Sequence, residues 1–324
     1  MSRTPIPLSS LISVAALLLV AACGGERKEA PPADSAATTA PASVPAEARH
    51  IGTVKDLQNP ESARWDPELG VWFVSNVNGQ PGAKDNNGFI SRIKADGSMD
   101  SLKFVAGGRG KVTLNAPKGL AIVGDTLWVA DIDAVRGFNR KTGASVASIP
   151  VPGAKFLNDV TAGPDGIYIT DTGVQFGAGG KMTHPGPDRI VEIAGRKVTT
   201  ALTFKGQPGP NGITWEENSS RFVVVPLTDT TIVAWAPGDS APQALGTAPG
   251  AMDGVEALDG DRFLVTSWAD SSLNLFADGK VTRLAGNLPG PADIGFDPTG
   301  GKVAVPQLTE NKMELFDVSS LVQH

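Results

Sequence analysis

Six short stretches recur in phase along this chain, and a repeat of that kind decides the architecture before any single residue does. Each begins with a polar residue that opens a short apolar strand: PESARW at Glu61, PKGLAI at Lys118, LNDVTA at Asn158, PNGITW at Asn211, MDGVEA at Asp253 and ADIGFD at Asp293. The openers lie 57, 40, 53, 42 and 40 residues apart. After each comes a turn such as DPELG, GPDG or DPTGG, then a β-rich run such as VWFVSN, TLWVAD or RFVVVP, then an alternating third strand such as TIVAW or SLNLF. Repeats one to five add a more polar fourth strand, for example KVTRLA. Four strands in about 40 residues is the size of a propeller blade, so an all-β, six-bladed β-propeller is expected over residues 50–324. The sixth repeat stops one strand short, after MELFDV, and a spare strand lies at the other end, IGTVKDL at 51–57. Pairing that strand into the last blade joins the two ends of the array and removes its exposed edges.

Composition agrees with this reading and narrows the function classes. The chain holds 38 Gly and 25 Pro against a single Tyr, which describes many turns and little helical bias. A net charge of -6, with no basic cluster beyond Arg136, Arg140 and Lys141, gives no footprint for a phosphate backbone, so nucleic acid is not an expected partner. Cys23 is the only cysteine, and no internal disulfide can staple the fold. AGGRGKVT at 106–113 lacks the first glycine and the closing Ser or Thr of a phosphate loop, and no Gly-x-Ser-x-Gly elbow occurs.

Ahead of the repeats stand two segments of a different kind. Arg3 followed by the apolar run Leu11 to Ala22 reads as an export signal over residues 1–22, too short for a membrane span. Val20, Ala21, Ala22 and Cys23 resemble the lipobox of bacterial lipoproteins, which implies cleavage before Cys23 and lipidation of its thiol. Acyl chains contribute about 0.8 kcal/mol per buried CH₂, and several of them anchor a protein stably. Gly24 rather than Asp follows the cysteine, which suits outer-membrane delivery in a Gram-negative cell. Residues 23–49 are otherwise rich in Ala, Pro, Ser and Thr and read as a tether of roughly 85 Å contour at about 3.3 Å per residue. The expected location is the bacterial cell envelope, exported and lipid-anchored, with membrane contact through the anchor only.

In a propeller the innermost strand of each blade lines the central channel, so the six openers are expected to form a ring at one mouth: Glu61, Lys118, Asn158, Asn211, Asp253 and Asp293. Glycines that follow openers, as at Gly119, Gly212 and Gly254, are expected to let a ligand approach the backbone closely. Two carboxylates about 5 Å apart repel by roughly 3 kcal/mol at an effective dielectric near 20. A divalent cation relieves that repulsion, and a ring of oxygen donors without Cys or His selects a hard ion, with Ca²⁺ first. The alternative is that Lys118 neutralises part of the ring and water satisfies the rest.

PESARWDPELGVWFVSN, LNDVTAGPDGIYITDTG, PNGITW and MDGVEA, in that order at blade spacing, resemble marks of a known family over roughly residues 51 to 318. It is the family of regucalcin (senescence-marker protein), gluconolactonases and luciferin-regenerating enzyme, six-bladed calcium-binding propellers that include lactone hydrolases, with paraoxonases as distant relatives. The resemblance implies Glu61, Asn211 and Asp253 as metal ligands and Asn158 as a further ligand or substrate contact. Lys118 in the ring and the plain first strand around SARW depart from the family's pattern.

The two longest spacings fall between second and third strands, at 76–88 and 171–188, and are expected to raise Gly-rich loops over the ring as a lid. His184 in the second loop, and Asp253 beside the metal, are the expected proton carriers. Together these features point to a lipid-anchored, metal-dependent hydrolase acting on a small-molecule lactone or related ester. The competing expectation is a non-enzymatic propeller that binds a peptide, a glycan or a protein partner on the same channel face.

Overall fold

The computed structural model describes residues 47–177 and 180–322. By its internal contacts the chain divides into two units, Met1–Val44 and Pro45–His324, and the described residues belong to the second. The export signal, Cys23 and nearly all of the tether therefore lie outside the described residues. At the tether's end, Arg49 is already part of a strand. No helix among the described residues is long and apolar enough to cross a membrane.

Among the described residues, six four-stranded antiparallel sheets follow one another as blades, with a separate two-stranded ribbon in the connection of blade three. The inner strands are Pro60–Asp66, Pro117–Val123, Leu157–Gly163, Pro210–Glu216, Met252–Asp259 and the short Gly295–Asp297. In blades one to five the chain moves outward strand by strand. Blade six runs Gly295–Asp297, Lys302–Gln307, Lys312–Asp317, and its outermost place is taken by Arg49–Val54 from the chain's beginning. That strand pairs antiparallel with Lys312–Asp317 through a bulge at His50/Gly52, so the expected closure is observed.

Why six sheets stay together is visible in where the apolar side chains fall. Second strands such as VWFVSN, and RFVVVP after its partly exposed Arg221, are buried, because each lies between two neighbouring blades. The apolar core is accordingly divided among the interfaces between blades. Trp72, Val74 and Ile93 of blade one meet Ala304, Met313 and Leu315 of blade six. Tyr168 and Ile190 of blade three meet Phe222, Val224 and Trp235 of blade four, with the Tyr168 and Phe222 rings 4.3 Å apart. Blades one and two are also joined by a buried ion pair, in which Arg140 donates to both oxygens of Asp66 at 2.8 and 2.7 Å.

Candidate functional site

Each inner strand of blades one to five begins with an irregularity at its opener. Register shifts fall at Pro60/Ser62, Pro117/Leu120, Leu157/Val160, Pro210/Ile213 and Met252/Val255. A bulge of this kind turns one side chain out of the regular alternation, and here it frees Glu61, Lys118, Asn158, Asn211 and Asp253. All five line one cavity of about 430 Å³ at a mouth of the channel. Hydroxyls on second strands hold the geometry from blade to blade. Thr170 Oγ1 receives the Asp159 N–H at 3.0 Å and donates to the Asn211 carbonyl at 2.6 Å, while Thr266 Oγ1 links the Gly254 N–H to the Ala292 carbonyl.

The sixth expected member, Asp293, is not in this ring, which corrects the sequence reading. It forms a parallel bridge with Ser62, the residue after the opener of blade one, and its N–H donates to the Glu61 carbonyl at 2.8 Å. The position equivalent to the openers is Ala292, and a slip of one residue along a strand exchanges the faces. Asp293 therefore belongs to a deeper layer, where Ser62 Oγ donates to its Oδ2 at 2.5 Å and its Oδ1 has no hydrogen-bond partner. Burial first, and then Asp159, hold its carboxyl well above the usual range.

The glycines after openers serve a different purpose from the one expected. A Cβ on Gly212 would lie 2.2 Å from the Asp253 carbonyl oxygen, one on Gly119 would lie 2.4 Å from Asp159 Cα, and one on Gly254 would lie 2.9 Å from Asp293 Cα. The close approach is made by the next blade's inner strand, not by a ligand. Gly212→Ala is expected to cost about 1–3 kcal/mol through this overpacking and to displace Asn211 and Asp253 together. Urea unfolding beside Gly195→Ala checks it, because Gly195 has open space around its missing Cβ. A cost at Gly212 no larger than at Gly195, where positive φ alone strains the backbone, would sink this account.

In the ring, the two amides have their nitrogens committed. Asn158 Nδ2 donates to Thr172 Oγ1 at 3.1 Å and Asn211 Nδ2 to the Met252 carbonyl at 2.9 Å, so neither amide oxygen is used in these bonds. Asp253 Oδ2 accepts from Trp268 Nε1 at 2.8 Å. Burial, reinforced by Asp293, pushes the Asp253 carboxyl up to about 7. Glu61 is buried with Oε2 unpartnered, and burial and then Asp253 raise its carboxyl well above the usual range while Lys118 opposes the shift. Lys118 Nζ donates to the Ala116 carbonyl at 2.9 Å and lies 4.2 Å from the centre of the Phe156 ring. Burial brings its amine down to about 8 against the pull of Glu61.

Two buried carboxyls facing one cavity, one of their oxygens lacking a donor, and two amide oxygens not engaged in these bonds make a donor set that fits a hard cation. Glu61, Asn158, Asn211 and Asp253 are the residues that would hold it. Among the described residues no group of three or more His, Cys, Asp and Glu converges as a metal cluster, and this set contains only two such residues.

Below the ring, the channel is crossed by a network that sequence reasoning missed. Arg64 donates to Glu256 Oε1 at 2.5 Å and to the Leu120 carbonyl at 2.7 Å, joining blades one, two and five. Asp159 accepts from the Val160 and Ile213 N–H groups, and burial pushes its carboxyl up to about 7. Above the ring, the connections from second to third strands supply the walls, and the long ones in blades one and three form a roof, as expected. Phe176 of the ribbon Gln175–Phe176/Met182–Thr183 sits 5.1 Å from the Phe156 ring and packs over Gly82 of the blade-one loop. His184 stands just beyond this ribbon with Nε2 against Asp188 Oδ1 at 2.7 Å, and it is not among the residues lining the cavity.

No protein-family model and no curated protein matches the sequence. Solved structures do match in shape. A protein provisionally described as a gluconolactonase superposes with a TM-score of 0.62 at 17% identity, over 84% of this chain and 91% of its own. A chain of a nidogen/laminin complex superposes with a TM-score of 0.54 at 15% identity, over 68% of this chain and 78% of its own. Both likenesses concern the fold, and the first is the fold that the family resemblance implies.

Proposed function

We propose that this chain is a metal-dependent hydrolase of a lactone or related ester, held in the bacterial cell envelope by lipid on Cys23. The observation that carries the reading is the pairing of Glu61, with its unpartnered oxygen, and Asp253 at the polar floor of a roofed cavity. The likeness of fold to a gluconolactonase-described protein supports it. A Ca²⁺-type ion held by Glu61, Asn158, Asn211 and Asp253 would supply Lewis-acid polarisation of a carbonyl oxygen. The chain's own groups supply the rest. Of the two expected proton carriers, Asp253 faces the cavity and is held by Trp268, which places its carboxylate to take a proton from water as that water attacks the carbonyl carbon. The C–O bond to the leaving alkoxide then breaks, the alkoxide takes up the proton, and the product is a hydroxy acid. Trp268 orients the Asp253 carboxylate throughout, and the roof limits access of bulk water. His184, bound to Asp188, positions the ribbon's base in this scheme.

Chelator-stripped protein is expected to lose lactone hydrolysis and to regain it when Ca²⁺ is restored. Undiminished turnover after stripping, verified by elemental analysis, removes the mechanism. A non-enzymatic reading is favoured by one feature, the Lys118 amine standing in the ring as a built-in cation. It predicts no metal uptake and a peptide, glycan or protein ligand on the same face, and the same stripping and titration separate the two.

A further inference from the structure

The walls of the cavity are unlike its floor. Polar side chains are concentrated on the floor, whereas Phe176 and Met182 from blade three, Leu227 from blade four, Trp268 from blade five and Leu308 from blade six surround the space above. Among the described lining residues the wall adds one hydroxyl, Thr228, and that hydroxyl already donates to the Gln207 carbonyl at 2.8 Å. The Trp268 N–H is likewise committed to Asp253. A polyhydroxylated ring bound here would bury several hydroxyls with no partner, at about 1–3 kcal/mol each. An aliphatic chain leaves no such group unpaired and gains by leaving water.

We infer that the ligand of this cavity is a lactone or ester bearing an aliphatic chain, with its carbonyl at the Glu61 and Asp253 floor and its chain along Phe176, Leu227 and Leu308. The inference rests on the proposed function for the ion that would meet the carbonyl and for the fate of the ligand, but not for the apolar wall that selects the chain. The roof fits the same occupant. Phe176 and Phe156, both lining the cavity, meet with their rings tilted by 50°, and Phe156 also covers the Lys118 amine, so the apolar wall continues down to the polar floor. Chain length and hydroxylation, not ring size, are then the specificity variables.

The test uses the full chain loaded with Ca²⁺. Unreactive γ-lactams with linear alkyl chains of about four to eight carbons are titrated by calorimetry, and affinity is expected to rise about fourfold per methylene, the equivalent of about 0.8 kcal/mol. A polyhydroxylated lactam should bind at least about 100-fold more weakly than the longest alkyl one, since several unpaired hydroxyls are buried. Leu227→Asn and Phe176→Ala should each flatten the chain-length slope, with thermal unfolding reporting that the fold is kept. A flat slope in the parent protein, or equal binding of the polyhydroxylated ligand, overturns the inference. Hydrolysis of the matching alkyl lactones is followed in parallel. A steep binding slope without turnover leaves the apolar ligand standing and removes the hydrolase; turnover confined to polyhydroxylated lactones does the reverse.

Discussion

Asp253→Asn is expected to weaken Ca²⁺ binding by at least about 100-fold and to lower lactone kcat/KM by about 10³-fold, the scale of losing a charged ligand together with a developing-charge stabiliser. Asparagine keeps an oxygen that can accept from Trp268 Nε1, so the indole and the wall it belongs to stay in place while the charge disappears. Asp253→Ala removes both, and comparison of the two variants separates charge from positioning. Glu61→Gln should resemble Asp253→Asn in metal affinity, because Glu61 holds the unpartnered oxygen of the ring. Both isosteric variants should unfold at higher temperature than the metal-free parent above pH 7, since each replaces a buried carboxyl whose ionised form is disfavoured there. Calorimetric titration of Ca²⁺ reads the first effect and a lactone assay the second. Unchanged Ca²⁺ affinity in both isosteric variants would falsify the assignment of these two carboxyls as ligands.

Most of the architecture could be read from the sequence because it is periodic. In-phase strands of blade length and a missing last strand matched by a spare first one left little choice, and Arg49–Val54 pairs as that arithmetic requires. Five of the six ring residues were readable for a related reason: a bulge at the start of each inner strand follows a recurring Pro, Leu or Met and aims the next side chain inward. The sixth was misplaced because the alignment followed polarity. In PADI the residue after the proline is Ala292, and only attention to the proline would have put Asp293 one position deeper.

Trp268 was missed for another reason. Tryptophans in strands usually pack between blades, as Trp72 and Trp235 do, whereas Trp268 stands one residue beyond Arg262–Ser267, where the chain turns onto the channel face. The Arg64–Glu256 pair left no local trace, since its partners are 192 positions apart and meet only when the array closes. His184 was drawn in by its nearness in sequence to the lid, yet four residues on it meets Asp188, and that contact holds its ring.

The metal-free protein is expected to lose stability as pH rises from about 4 to 7, and Ca²⁺ is expected to reverse part of that loss. Asp253 and Asp159 are both pushed up to about 7 by burial, above the ordinary value of 3.8. A carboxyl raised in the folded state contributes stability that is fully present below its unfolded value, and that contribution is lost as pH rises through the folded value. At about 1.4 kcal/mol per unit, two such groups account for several kcal/mol between pH 4 and 7. Glu61, Glu256 and Asp293 are raised as well and act in the same direction. Lys118 adds no slope in this interval, because its depressed amine differs from the unfolded chain only above about 8. Ca²⁺ at 100 times its dissociation constant adds about 2.7 kcal/mol, and since it replaces a proton on Asp253 its affinity should rise from pH 5 to 8 with proton release near pH 7. Asp159 lies below the ring and keeps its share of the slope whether or not the metal is bound. Unfolding temperatures measured from pH 4 to 8, with and without Ca²⁺, should therefore diverge steadily as pH rises. Parallel curves would mean that no ring carboxyl exchanges its proton for the ion, and a metal-free curve that climbs with pH would remove the buried-carboxyl account altogether.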